Sequence, residues 1–238
     1  QIVNVFLKNR RFLRMNRSWN ALTEHIILQT IDNAFGPEAQ PEAIILTHAH
    51  VDHVGALESL LNQWDVPVYA HHKNDNLAGE KNYPEHDDSF EGGLIAKISP
   101  LFPNEGINVK EAVRPLPEDG SVPYLPDWQW IHTPGHTDGH ISLFREKRTL
   151  IAGDAFVTVR QDKFWNVLIQ KQEVTGPPRY FTVDWHQAKN SVAKLSARSP
   201  NERLPDRLAG EREQLKSDLE YLTENFERLA IPDYGKYV

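Results

Sequence analysis

With 238 residues the chain is long enough to bury one sizeable core, and a single α/β domain over residues 1–238 is the expectation. A net charge of −7 argues against a nucleic-acid backbone as the main partner, and no apolar run is long enough to span a bilayer. The absence of cysteine excludes disulfides and thiolate metal sites, fits a cytoplasmic setting, and leaves His, Asp, Glu or water to ligate any metal.

In chain order, Gln1 to Leu7 reads as a strand rather than a signal peptide, because no long apolar core follows basic residues. Lys8, Arg10, Arg11, Arg14 and Arg17 follow, and such a run reads as a solvated basic face rather than a binding patch. Residues 18–34 have a helical period in Leu22, Ile26, Ile27 and Ile31, with Ser18 as a candidate N-cap and Gly36-Pro37 as the stop. Ala43 to Leu46 is an apolar strand, and Val54 onward to Gln63 is helix-like. Val66 to Ala70 is a short strand in which Pro67 points to an edge or a strand start. Residues 71–108 are polar and weakly periodic; that length predicts short helices or a lid rather than a plain loop.

The stretch from Val113 to Pro126 is rich in turn residues. Asp127 to His132 reads as a strand, Thr133 to Thr137 as a loop, and Ile141–Phe144 and Thr149–Ala152 as strands joined by the charged turn Arg145–Arg148. Two amphipathic helices follow, Asp184–Leu195 with Asp184 near its cap, and Glu211–Leu229 with Leu215, Leu219, Leu222 and Phe226 as its apolar stripe. The mixture indicates a two-layer α/β arrangement without selecting its topology.

The chemistry is concentrated in Thr47-His48-Ala49-His50-Val51-Asp52-His53, an H-x-H-x-D-H run between a strand and a helix. Imidazole nitrogens and carboxylate oxygens are ligands that zinc and related dications prefer. At a strand end, positions i and i+2 point the same way, so His48 and His50 can reach one metal, while Asp52 and His53 face a second position. Two later segments offer further donors at strand ends: His136 in Thr-Pro-Gly-His-Thr, and Asp154 after Leu150-Ile151-Ala152-Gly153. Each is weak alone.

Taken together, Thr-His-Ala-His-Val-Asp-His-Val-Gly, then Thr-Pro-Gly-His-Thr-Asp-Gly-His, then Ile-Ala-Gly-Asp resemble the metallo-β-lactamase superfamily over about residues 41–156. The resemblance is closer to its glyoxalase II-like and lactonase-like hydrolases than to antibiotic-degrading enzymes. It implies a four-layer αββα sandwich with a binuclear site at one edge. His48, His50 and His136 would bind the first metal, Asp52 and His53 the second, and Asp154 would bridge them. Zinc is the implied ion, with iron or manganese as alternatives.

Two departures from the family pattern bear on that site. The late Pro-Gly-His histidine is missing, because the corresponding stretch reads Leu204 to Gly210 with Arg207, a cation with no lone pair to offer. The second metal is therefore expected to bind more weakly than the first, and His186, inside a helix pattern, reads as structural rather than as a replacement. The family's second N-terminal strand also gives way here to residues 8–30, which read as basic and helix-like. His140 is expected to hydrogen-bond beneath the site, and His71 and His72 to close a strand. Trp165, Tyr180, Phe181 and Trp185 read as a hydrophobic anchor for the next helix rather than a substrate wall.

The implied activity is metal-dependent hydrolysis, with a metal-bound hydroxide attacking a small activated ester, thioester or lactone. Asp52 is the expected catalytic residue, orienting the hydroxide and carrying a proton to the leaving group. The lack of a tyrosine in Asp154–Thr158 lowers the lactone reading. The alternatives are a mononuclear iron persulfide dioxygenase-like enzyme and a degenerate, non-catalytic member. The expected partner is a small-molecule substrate, with neither nucleic acid nor membrane; oligomeric state is unread.

Overall fold

A computed structural model describes residues 4–8, 11–15, 21–37, 39–74, 109, 111–145, 149–159, 172–198 and 209–233. The described residues of Gln1–Tyr83 and Pro103–Trp130 form one compact unit, and those of Ile131–Val238 belong to a second.

The first unit is built on a five-stranded sheet ordered β2-β1-β3-β4-β5. β1 (Asn4–Lys8) pairs antiparallel with β2 (Arg11–Met15), Leu7 opposite Phe12, and antiparallel with β3 (Ala43–Leu46), Val5 opposite Ile45. The strand β2 corrects the helix-like reading of the basic segment. Pairing with β1 overrides a weak local pattern, and β2 is an edge strand, where charged residues blunt association with other chains. Helix α1 (Ala21–Phe35) buries Ile27 and Ile31 and ends where Gly36, at φ +95°, returns its N–H to the Asp32 carbonyl. The proposed cap Ser18 lies outside the described residues.

Every residue of β3 is fully buried, as its unbroken apolar sequence requires of an interior strand. β4 (Val68–Ala70) and β5 (Val113–Pro115) add parallel to it, with Ile44 opposite Val68 and Val68 opposite Val113. Pro67 therefore marks the start of an interior strand rather than an edge. The expected helix after the histidine run is two pieces, α2 (Val51–Val54) and α3 (Leu57–Gln63), and Leu57 and Leu60 pack with Ile27, Ile31, Ile44, Leu46 and Val68. The turn-rich segment carries β5, β6 (Ser121–Val122) and the start of β7 (Leu125–His132). Of the expected lid region, residues 71–108, only His71–Asn74 are described; the rest lies outside the described residues.

In the second unit β8 (Ile141–Arg145) and β9 (Thr149–Ile151) form the expected hairpin, Leu143 opposite Ile151. A ribbon of β10 (Val157–Val159) and β11 (Gln172–Thr175) was not legible in the sequence. Helix α4 (Trp185–Arg198) matches its expected position, and α5 (Ala209–Glu224) and α6 (Phe226–Leu229) replace one long helix, with the break at Asn225. The predicted stripe is real: Leu219, Leu222 and Phe226 are buried against Trp185, Val192 and Leu195. Trp185 is thus an anchor, as read; Trp165 and the Tyr180 side chain lie outside the described residues. Arg179, in a 3-10 turn (Arg179–Phe181), donates to the Leu229 and Ala230 carbonyls at 3.0 Å each and ties that turn to the end of α6. Among the described residues no helix is long and apolar enough to cross a membrane.

Candidate metal centre

The first group of donors grows from the C-terminal end of β3, the end of a parallel strand at which α/β proteins place ligands. The chain leaves the strand at Thr47, and the His50 carbonyl accepts from the N–H groups of His53 and Val54, starting α2. This tight strand-to-helix turn folds the run onto itself. His48, His50 and His53 are all buried, and the His48 ring centroid lies 4.8 Å from that of His50, edge-on, and 3.8 Å from that of His53. His48 thus neighbours both His50 and His53. Thr47 Oγ1 lies 3.2 Å from His48 Nδ1. Asp52 stands at the second position of α2, but its side chain lies outside the described residues. At the end of the neighbouring strand β4, buried His71 stacks on His72 at 4.3 Å, meets Trp130 edge-on at 5.6 Å, and accepts from the Lys73 N–H through Nδ1.

The second group is His136 and Asp154, with His136 Nε2 3.5 Å from Asp154 Oδ2 and both residues buried. The loop carrying His136 is fastened to α4. The Gly135 carbonyl accepts from the N–H groups of Val183 and Asp184, and Ser191 donates to the Pro134 carbonyl at 2.7 Å. Gly135 has φ +128°, and a Cβ there would fall 2.3 Å from the Ala188 nitrogen, so the close approach of loop to helix requires glycine. Asp184 caps α4: its Oδ1 accepts from the Gln187 N–H at 2.8 Å and Oδ2 from the Gln187 side chain at 2.7 Å. These hydrogen bonds hold the Asp184 carboxyl below the usual carboxylate range. His136 Nδ1 lies 3.2 Å from Thr182 Oγ1, and that hydroxyl donates to the Pro178 carbonyl at 2.8 Å.

Asp154 follows Gly153, at φ +60°, just beyond β9. Its backbone N–H donates to His140 Nε2 at 2.9 Å, so His140 carries its proton on Nδ1, which points at Thr133 O (3.0 Å) and Thr133 Oγ1 (2.9 Å). Ser142 donates to the Ala152 carbonyl at 2.9 Å and lies 3.0 Å from Thr133 Oγ1, whose proton is therefore given to Ser142. Every proton in this chain has one consistent placement, and the turn bearing Asp154 is gripped at Ala152 on one side and at Asp154 on the other. The expectation that His140 hydrogen-bonds beneath the site is met at Asp154. Thr133, Ser142 and Thr182 escaped the sequence reading; a lone hydroxyl residue carries no local signal of a partner 46 positions away. His186 is exposed beside Asn190, His25 is exposed, and His132 Nε2 donates to the Asp138 carbonyl, so none of the three joins these groups.

Comparisons with known proteins agree on what this chain resembles. Residues 20–205 match the family model described as the metallo-beta-lactamase superfamily. The chain is 51% identical over 177 residues to the probable metallo-hydrolase YflN of Bacillus subtilis, covering 74% of this chain and 67% of that one. It is 34% identical to the probable metallo-hydrolase YybB of the same organism, covering 67% of this chain and 61% of the relative. It is 32% identical to the hydroxyacylglutathione hydrolase GloC of Haemophilus influenzae, covering 48% of this chain and 49% of that enzyme. Among solved structures, the crystal structure of TTHA1623 in a di-iron-bound form is 22% identical with a TM-score of 0.51, over 81% of this chain and 79% of that one. The BLEG-1 B3 metallo-beta-lactamase gives 20% identity and a TM-score of 0.50, over 82% and 85%. These two likenesses bear on the fold, which is of the expected α/β metallo-β-lactamase-like class.

Proposed function

Because the chain belongs to the metallo-beta-lactamase superfamily, we propose that it is a metal-dependent hydrolase of small activated esters, thioesters or lactones, with residues 1–238 acting as one functional domain. The observation that carries this reading is the pair of buried donor groups, His48–His50–His53 after β3 and His136–Asp154 around the β8–β9 hairpin. Their donors are imidazole nitrogen and carboxylate oxygen throughout, a set that fits zinc and equally admits iron or manganese.

In the proposed centre the two groups serve together. By the family resemblance, His48, His50 and His136 would hold one ion, and His53 and Asp154 would belong to the second position. Asp52 would complete the second position together with Asp154. A dication held there supplies Lewis acidity and makes a bound water acidic near neutral pH. Asp52 orients the attacking water and returns its proton to the leaving group. His140 holds the Asp154 backbone. With Arg207 where a further histidine would stand, a second ion would have fewer protein ligands and would bind more loosely. We place the reaction in the cytoplasm, with neither nucleic acid nor membrane as partner.

Elemental analysis of the purified protein, followed by an ester, thioester and lactone panel, tests the reading. Zinc, falling clearly below two equivalents after dialysis against a mild chelator, together with hydrolysis of one panel class, is expected. Two ions retained equally tightly refute the loose second site. Iron with oxygen consumption and no hydrolysis refutes the hydrolase.

A further inference from the structure

We infer that Thr182, outside every motif of the donor run, is a positioning residue that decides which nitrogen of His136 carries the proton. The inference rests on the metallo-hydrolase reading above for its consequence and on hydrogen-bond chemistry for its content. A threonine hydroxyl has one proton. The Pro178 carbonyl can only accept, and it lies 2.8 Å from Thr182 Oγ1, so the hydroxyl proton is committed there. Thr182 Oγ1 then meets His136 Nδ1, at 3.2 Å, as an acceptor, and the imidazole must donate from Nδ1. The neutral ring is thereby held as its Nδ1–H tautomer, with the lone pair on Nε2.

That nitrogen faces Asp154 Oδ2 at 3.5 Å. In that tautomer the Nε2 lone pair and the Asp154 carboxylate would both be available to a cation. The relay from His136 through Thr182 to Pro178 is buried: Thr182 is 2% exposed. It is also anchored, because the Pro178 carbonyl accepts the Phe181 N–H of the 3-10 turn as well. Partners of this kind orient a ligating imidazole and raise its basicity, and their loss costs about 10- to 100-fold in metal affinity or activity.

The test uses metal-free protein first. Long-range proton–nitrogen NMR of the His136 ring is expected to show Nδ1–H in the wild type and in Thr182→Ser, and a substantial Nε2–H population in Thr182→Val. Titration with zinc should then give an affinity about 10- to 100-fold lower for Thr182→Val, with Thr182→Ser close to wild type. An Nε2–H ring in the wild type, or a Thr182→Val protein with unchanged tautomer and zinc affinity, overturns the inference. Should Thr182→Val fail to fold, the wild-type and Thr182→Ser spectra decide alone. If the rings show Nδ1–H but no variant binds zinc, the metallo-hydrolase reading fails while the tautomer assignment stands.

Discussion

The two donor groups are held in place by different physics. His48, His50 and His53 come from one short run, and the backbone positions them: a fully buried strand in the interior of a sheet, then a turn of helix started by the His50 carbonyl. His136 and Asp154 come from separate loops on either side of a hairpin, and side chains position them: Thr182 on one, and His140, Thr133 and Ser142 on the other. The first group should therefore be sensitive at the ligands themselves. The second should be sensitive also at residues that never touch a metal.

The largest effects belong to the first group. His48→Ala is expected to lose metal and activity together, read as metal content and kcat/KM on the same sample. Asp52→Ala is expected to retain the fold by circular dichroism while turnover falls by about 10²–10⁴-fold, the usual worth of a general acid–base. Full turnover in either variant would mean that the run is not the reaction centre.

That first group was legible because its donors are adjacent in the chain and flanked by an apolar strand and a helical period. His136 and Asp154 were found only through motif order, since a histidine after Pro-Gly and an aspartate after glycine are ordinary turn residues by themselves. The hydroxyls that brace them left no trace, because the relevant neighbours are set by tertiary packing. The same limit explains β2. Its basic residues look solvated in isolation, and only pairing with β1, Phe6 opposite Leu13, makes them an edge strand. It also explains the division at Asn225, where an unbroken apolar stripe in the sequence hides a kinked backbone.

An intermediate effect sharpens the comparison. His140→Leu removes the acceptor for the Asp154 N–H, and about 10- to 100-fold loss of metal affinity is expected, as for other residues that orient ligands. Thr47→Val removes the hydroxyl beside His48, at the same 3.2 Å that separates Thr182 from His136. It should cost less, because β3 already fixes the backbone there. Parallel zinc titrations of the two variants decide the matter: equal losses would show that both groups depend on their hydrogen-bonding neighbours alike.

The smallest effect concerns how each unit starts its helices. In the first unit α3 begins at Ala56 with no side-chain cap, whereas α4 in the second begins at Asp184, whose carboxylate takes the Gln187 N–H at 2.8 Å. Asp184→Ala should cost about 1 kcal/mol at neutral pH, the usual worth of such a cap. For a chain of this length that is about 2–4 °C in Tm. The hydrogen bonds to Gln187 lower the folded-state pKa of Asp184, so its contribution is present above the unfolded value, near 4, and is lost as pH falls through the lower folded value. The gap between wild type and Asp184→Ala should therefore be constant from neutral pH down to the carboxylate range and close below it. Because the Asp184 N–H also donates to the Gly135 carbonyl, the same cap steadies the loop that carries His136, whereas α3 begins at Ala56 with no capping carboxylate to lose. A gap that stayed open in strong acid would show that the Asp184 carboxyl acts as a neutral hydrogen-bond acceptor for Gln187 and not through its charge.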